Sequence, residues 1–167
     1  MILKIDDWEF DIDLERTMAY SAAEAADHCT CAYCRNFYAA VDDAFPQLRP
    51  FLAQFGIDIE APDELMPFTA THMCVLYAVS GTILHEGKAP IFLESLRVDP
   101  EDIMVSMINT ACPRPLFVLN VGPFDVPWVL DEPCDEEEIV SPANEPSFLK
   151  KMWNRLLGRA PKNNIES

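Results

Sequence analysis

The chain has 167 residues, half of them hydrophobic, with 28 acidic and 12 basic side chains and a formal net charge of −16. That length suits one domain with a sizeable core and no need of a disulfide staple. A field of that sign disfavours contact with phosphate backbones, which sets nucleic-acid binding aside, and no apolar run reaches the ~18 residues of a membrane span.

The opening, "MILKIDDWEF", lacks the basic and apolar regions of a secretory signal, which points to a cytoplasmic protein with reduced thiols. It reads as a hairpin. Ile5 ends one strand, and Trp8, Phe10 and Ile12 alternate with Glu9, Asp11 and Asp13, giving one buried and one acidic face. Ser21–Glu24, "SAAE", matches a capping box, so a short alanine-rich helix is expected from there to near His28. Phe37, Val41, Ala44, Phe45, Leu48, Leu52 and Phe55 recur at helical spacing. Pro46 interrupts that pattern, which predicts a kink or two helices, and Gly56 suits a left-handed turn after them. "EAPDELMPF" then reads as a loop.

From Thr71 the texture changes to short β-branched and aromatic runs: "HMCVLYAV", "IFLESLRV", "IMVSMI", "LFVLNV" and "FDVPWVL". "SGTILHEGKAP", "DPED", "CPRP" and "GP" carry turn chemistry between them. Pro127 is expected at an edge or a bulge. The predicted class is α+β: an N-terminal hairpin, two to three helices, an antiparallel meander of four to five strands, and a C-terminal amphipathic helix. One domain is expected over residues 1–158, with a frayed tail over 159–167.

The densest chemistry is "HCTCAYCRNF", residues 28–37. Zinc favours four nitrogen or sulfur ligands in a tetrahedron, and Cys29, Cys31 and Cys34 could fold three thiolates around one ion. His28 is an awkward fourth ligand, because adjacent residues rarely both point at one small ion. Cys74, Cys112, Cys134 or His72 could complete the shell from a distance. The motif also admits a redox reading, since "CAYC" runs into a helix expected near Arg35, where a thiolate is stabilised. No βαβ pattern precedes it, which counts against a thioredoxin-like site. Plain packing is the leading reading of the trio, because cysteine is a small hydrophobe suited to a tight corner.

"CTCAYCRNFY", "FLAQFGIDIEAPDE" and "WVLDEP" together resemble a small bacterial family with no assigned activity, over roughly residues 1–134. The resemblance implies that the cysteine corner belongs to a shared scaffold, and it carries over no catalytic residue. The tail after "DEPC" departs from the family pattern.

Residues 1–149 hold 27 acids against 7 bases, whereas residues 150–167 hold 1 acid against 5 bases. A last helix, capped by Asn144, would join Phe148, Leu149, Met152, Leu156 and Leu157 into an apolar stripe flanked by bases. Lys150, Lys151, Trp153 and Arg155 are its candidate partner-binding residues, for another protein or for self-association. The pairs Asp6–Asp7, Asp42–Asp43, Asp63–Glu64 and Asp131–Glu132 read as solvated surface. His72 reads as a hydrogen-bonded core residue and His85 as turn surface. Signatures of serine hydrolases, zincins, P-loop NTPases and dinucleotide-binding folds do not occur. The leading expectation is therefore a non-enzymatic acidic domain acting by protein contact. The alternative is a zinc-binding or thiol-redox protein centred on Cys29, Cys31 and Cys34.

Overall fold

A computed structural model describes residues 1–106 and 108–134. The N-terminal hairpin forms as its alternation predicts. Strands β1 (Ile2–Ile5) and β2 (Trp8–Ile12) pair antiparallel across a turn at Asp6–Asp7, and Asp6 takes a φ of +50°, a conformation that short polar side chains tolerate. Trp8, Phe10 and Ile12 all point into the core.

Helix α1 (Leu14–Ala26) begins seven residues before the expected capping box, with Asp13 as N-cap accepting from the Arg16 amide at 3.2 Å. Ser21 instead sits buried in mid-helix, where its hydroxyl accepts from the Asp58 amide at 2.7 Å. Helices α2 (Ala32–Ala44) and α3 (Leu48–Ala53) are broken at Phe45–Pro46, as the proline requires. Gly56 follows with a φ of +81°; a Cβ there would also meet Leu14 and Met18 at 2.9 Å.

Five further strands, β3 (Glu64–Pro67), β4 (His72–His85), β5 (Ile91–Leu93), β6 (Leu96–Glu101) and β7 (Leu116–Asp125), join the hairpin in one antiparallel sheet of order β1-β2-β4-β7-β6-β5, with β3 also paired to β4. The strand count exceeds the expected hairpin and meander. β3 lies in the segment expected to be a loop; its prolines at 62 and 67 hide a four-residue edge strand. β4 runs straight through "SGTILH" because Gly81 there serves close approach rather than a turn: a Cβ would stand 2.3 Å from the Asp11 carbonyl oxygen. "IFLESLRV" is two strands, β5 (Ile91–Leu93) and β6 (Leu96–Glu101), turning at Glu94 with a φ of +55°. "IMVSMI" contributes a 3₁₀ turn, Ile103–Ser106, rather than a strand. β7 (Leu116–Asp125) fuses "LFVLNV" with the start of "FDVPWVL", and Pro127 lies beyond its end. Only β5, β6 and β7 form a meander; β4 lies beside β7, which makes the four strands a Greek key.

The sheet is covered on both faces at its centre. Met73, Val75, Tyr77 and Val79 of β4, with Phe117, Leu119 and Val121 of β7, pack with α2 and α3 in one core cluster. Phe10 stacks on Phe117 at 5.3 Å and meets Phe55 edge-on at 5.4 Å, which joins hairpin, helices and sheet. On the other face Ala78, Leu116 and Cys112 pack with Tyr20, Val105 and Ile108.

One edge of β4 pairs with β3 over Met73–Leu76 and with β2 from Gly81 onward, so the stretch between has no strand beside it. Side chains and loop backbone take the ladder's place. The Ala78 amide donates to the Asp63 carboxylate at 2.6 Å. The Ser80 amide donates to the Thr17 hydroxyl at 3.1 Å, and the Ser80 carbonyl accepts from the Asp13 amide at 2.9 Å. Asp63 is therefore a structural acid, not the solvated one expected. Tyr20 donates its hydroxyl to the other Asp63 oxygen at 2.5 Å, and burial pushes the Tyr20 phenol well above its usual range.

Among the described residues no helix is long and apolar enough to cross a membrane. The expected last helix, its residues Lys150, Lys151, Trp153 and Arg155, and the boundary at 158 lie outside the described residues.

Thr17→Val keeps the shape of the side chain and strands the buried Ser80 amide. It should destabilise the fold by about 1–3 kcal/mol, against a smaller loss for Thr17→Ser, read as a shift in the denaturant midpoint. Equal midpoints for Thr17→Val and the parent would show that the bond is dispensable.

Candidate metal centre

Cys31 is the N-cap of α2, with extended backbone and no side-chain cap bond; its carbonyl accepts from the Arg35 amide at 3.0 Å and opens the helix. Cys34 follows in the first turn and is buried against the core, whereas Cys31 and Cys29 are exposed. Residues three apart on a helix share a face, and Cys29 lies in the loop leading in. The three sulfurs consequently lie within 4.8 Å of one another. The expected start of the helix near Arg35 is three residues late, and the helix N-terminus falls on the cysteines themselves.

The trio is chemically unequal. The Cys31 backbone, and then the Cys31 and Cys34 side chains, outweigh the effect of burial and hold the Cys29 thiol below its usual range. Burial, then the neighbouring Cys31 and Cys29 sulfurs, push the Cys34 thiol up. Cys29 is thus the exposed group readiest to become a thiolate, and Cys34 the one that keeps its proton.

One turn along α2, Tyr38 lies near the same sulfurs; burial, and then the Cys34 and Cys29 sulfurs, raise its phenol. The His28 ring lies on the Tyr38 ring with centroids 4.8 Å apart. His28 Nδ1 is buried and finds no hydrogen-bond partner among the described residues.

A strap formed by residues 127–134 is fastened to the same helix end. Asn36, fully buried, donates to the Pro127 carbonyl at 3.0 Å and accepts from the Val129 amide at 2.7 Å. Trp128 meets Tyr33 edge-on at 6.1 Å, and its indole donates to the Glu132 carbonyl at 2.9 Å. Arg35 pairs with the Glu132 carboxylate and donates to the Thr30 carbonyl at 3.1 Å. Cys134 contacts the Tyr33 hydroxyl at 3.8 Å.

The other predicted ligands do not join the trio. Cys74 and Cys112 are buried in the sheet region, and burial pushes both thiols up to about 12. His72 is only half-buried and engages Asp125 at 3.0 Å through Nδ1. Cys134 reaches the neighbourhood without entering the three-sulfur group. An open cavity of about 430 Å³ lies where Asp11, Asp13, Arg16 and Thr82 meet, and its lining includes none of the three cysteines. Asp42 is held by Arg49 at 2.6 Å, and that hydrogen bond lowers its carboxyl below the usual range. Asn36 and Tyr38 escape a motif search because an asparagine or a tyrosine inside a helical pattern carries no signal of its own.

Compared with known proteins, the chain matches no family model, no curated protein and no solved structure.

In metal-free protein Cys29 should be carboxymethylated by iodoacetate well ahead of Cys34 at neutral pH, followed by peptide mass mapping. Modification of Cys34 first would contradict the inequality described above. Asn36→Leu should raise hydrogen exchange at the Val129 amide without loss of helix signal; an unchanged rate there would mean that the strap holds without its clasp.

Proposed function

We propose that the protein binds one zinc ion through Cys29, Cys31 and Cys34. The observation that carries this reading is the mutual approach of the three sulfurs to within 4.8 Å. A tetrahedral zinc with Zn–S bonds of ~2.3 Å holds its sulfurs about 3.8 Å apart, so the trio needs to contract by no more than about 1 Å. Cys29 and Cys31 lie in or beside a loop without regular hydrogen bonding, which supports that adjustment. The partial positive charge at the α2 N-terminus suits a negatively charged metal–thiolate group beside it. The ion itself supplies charge neutralisation and a polarising centre; the chain supplies three thiolates and the buried helix face that orients Cys34.

Protein purified without a chelator should contain about one zinc per chain by elemental analysis. Cys34→Ser should lose it and Cys74→Ser should keep it. A metal-free parent that forms a reversible Cys31–Cys34 disulfide would favour the thiol-redox reading instead, which the exposed N-cap cysteine and buried first-turn cysteine support.

Contact with a basic protein partner is a second reading, and the net charge of −16 is what favours it. It predicts a partner captured from native extract at low salt and released as salt rises. No capture at low salt would remove its support.

A further inference from the structure

Three sulfurs leave one corner of a zinc tetrahedron to fill. Cys74 and Cys112 are committed to the sheet core, and His72 engages Asp125. Cys134 is held on the strap by Tyr33. His28 also stands outside the three-sulfur group, but it differs from these residues in what its ring lacks. Its Nδ1 is buried without a partner among the described residues, a costly condition for a polar atom that loses water and gains nothing. Its ring rests on Tyr38, whose side chain lies near the Cys34 and Cys29 sulfurs, so imidazole and thiols share one neighbour. Residues 28–30 carry no helix or strand hydrogen bonds, and the ring can swing without breaking a ladder.

We infer that His28 supplies the fourth ligand through Nδ1, making the stretch H-C-x-C-x-x-C a Cys₃His zinc centre; this rests on the zinc reading above. Nδ1 is the ring nitrogen nearer the main chain, which suits a ligand next to another ligand in sequence. Adjacent ligands are uncommon, but this ring nitrogen is buried without a hydrogen-bond partner among the described residues. Coordination uses that lone pair on the neutral ring, and no proton need leave Nδ1 if Nε2 carries it. Tyr38 then acts as a positioning residue: its ring seats the imidazole when no ion is bound.

X-ray absorption on the zinc-loaded full chain tests this directly. The expected shell is three sulfurs at ~2.3 Å and one nitrogen at ~2.0 Å, with imidazole multiple scattering. His28→Ala should remove the imidazole signal and weaken zinc binding, in competition with a chromophoric chelator, by about 10- to 100-fold or more, the range that outer-shell changes alone can cost. Cys134→Ser should change neither. An all-sulfur shell that loses a sulfur in Cys134→Ser would overturn the assignment in favour of Cys134. A sulfur–oxygen shell without imidazole scattering in the parent would overturn it in favour of water, whatever the folding of the variants. A parent chain that binds no zinc would sink the zinc reading itself, a result distinct from zinc bound without His28.

Discussion

The need to satisfy every buried backbone group along β4 is the constraint on which the rest of the fold depends. Its fourteen residues cross the middle of the sheet and are buried over Met73–Gly81. β7 satisfies one side of the strand. The other side is shared between β3 and β2, which leave a gap that a buried strand cannot tolerate. Asp13, Thr17 and Asp63 fill it. Through those three residues the hairpin, α1 and the approach to β3 are all tied to the same few peptide groups. The position of α1 is thus set by hydrogen bonds at a strand edge more than by an apolar stripe.

That explains which parts of the fold were legible in the sequence. The hairpin reads clearly, because three inward apolar residues alternate with acids and nothing competes. The break between α2 and α3 is equally legible, because proline removes a donor whatever surrounds it. α1 is misread because its buried positions are Thr17 and Ser21, polar residues that satisfy backbone elsewhere. β4 is cut short because Ser80-Gly81 has the composition of a turn, while its glycine answers a close approach from Asp11. Local composition cannot distinguish those uses of glycine; only the neighbour across the sheet does. The Greek-key order is invisible for the same reason, since it depends on which strand β7 finds.

The cysteine corner was partly legible. Spacing alone brings three sulfurs to one place, and the structure adds their inequality: one buried, two exposed, one holding its proton weakly. Burial of the kind that packing would need is found at Cys34 and not at Cys29 or Cys31. The setting of the corner was not legible at all. Asn36, Tyr38 and the strap at 127–134 gain meaning only once residues far apart in sequence meet. The crowding of polar and sulfur groups at one helix end, beside an aromatic pair, gives a lone imidazole a reason to be there.

The bond between Asn36 and Val129 spans 93 residues. A nascent chain emerging at roughly 5–20 residues per second would expose the cysteine loop for about 5 to 20 seconds before the clasp's second half existed. During that interval the N-terminal end of α2 lacks the strap that fastens it in the finished fold. Closure of the strap is therefore a late and long-range event.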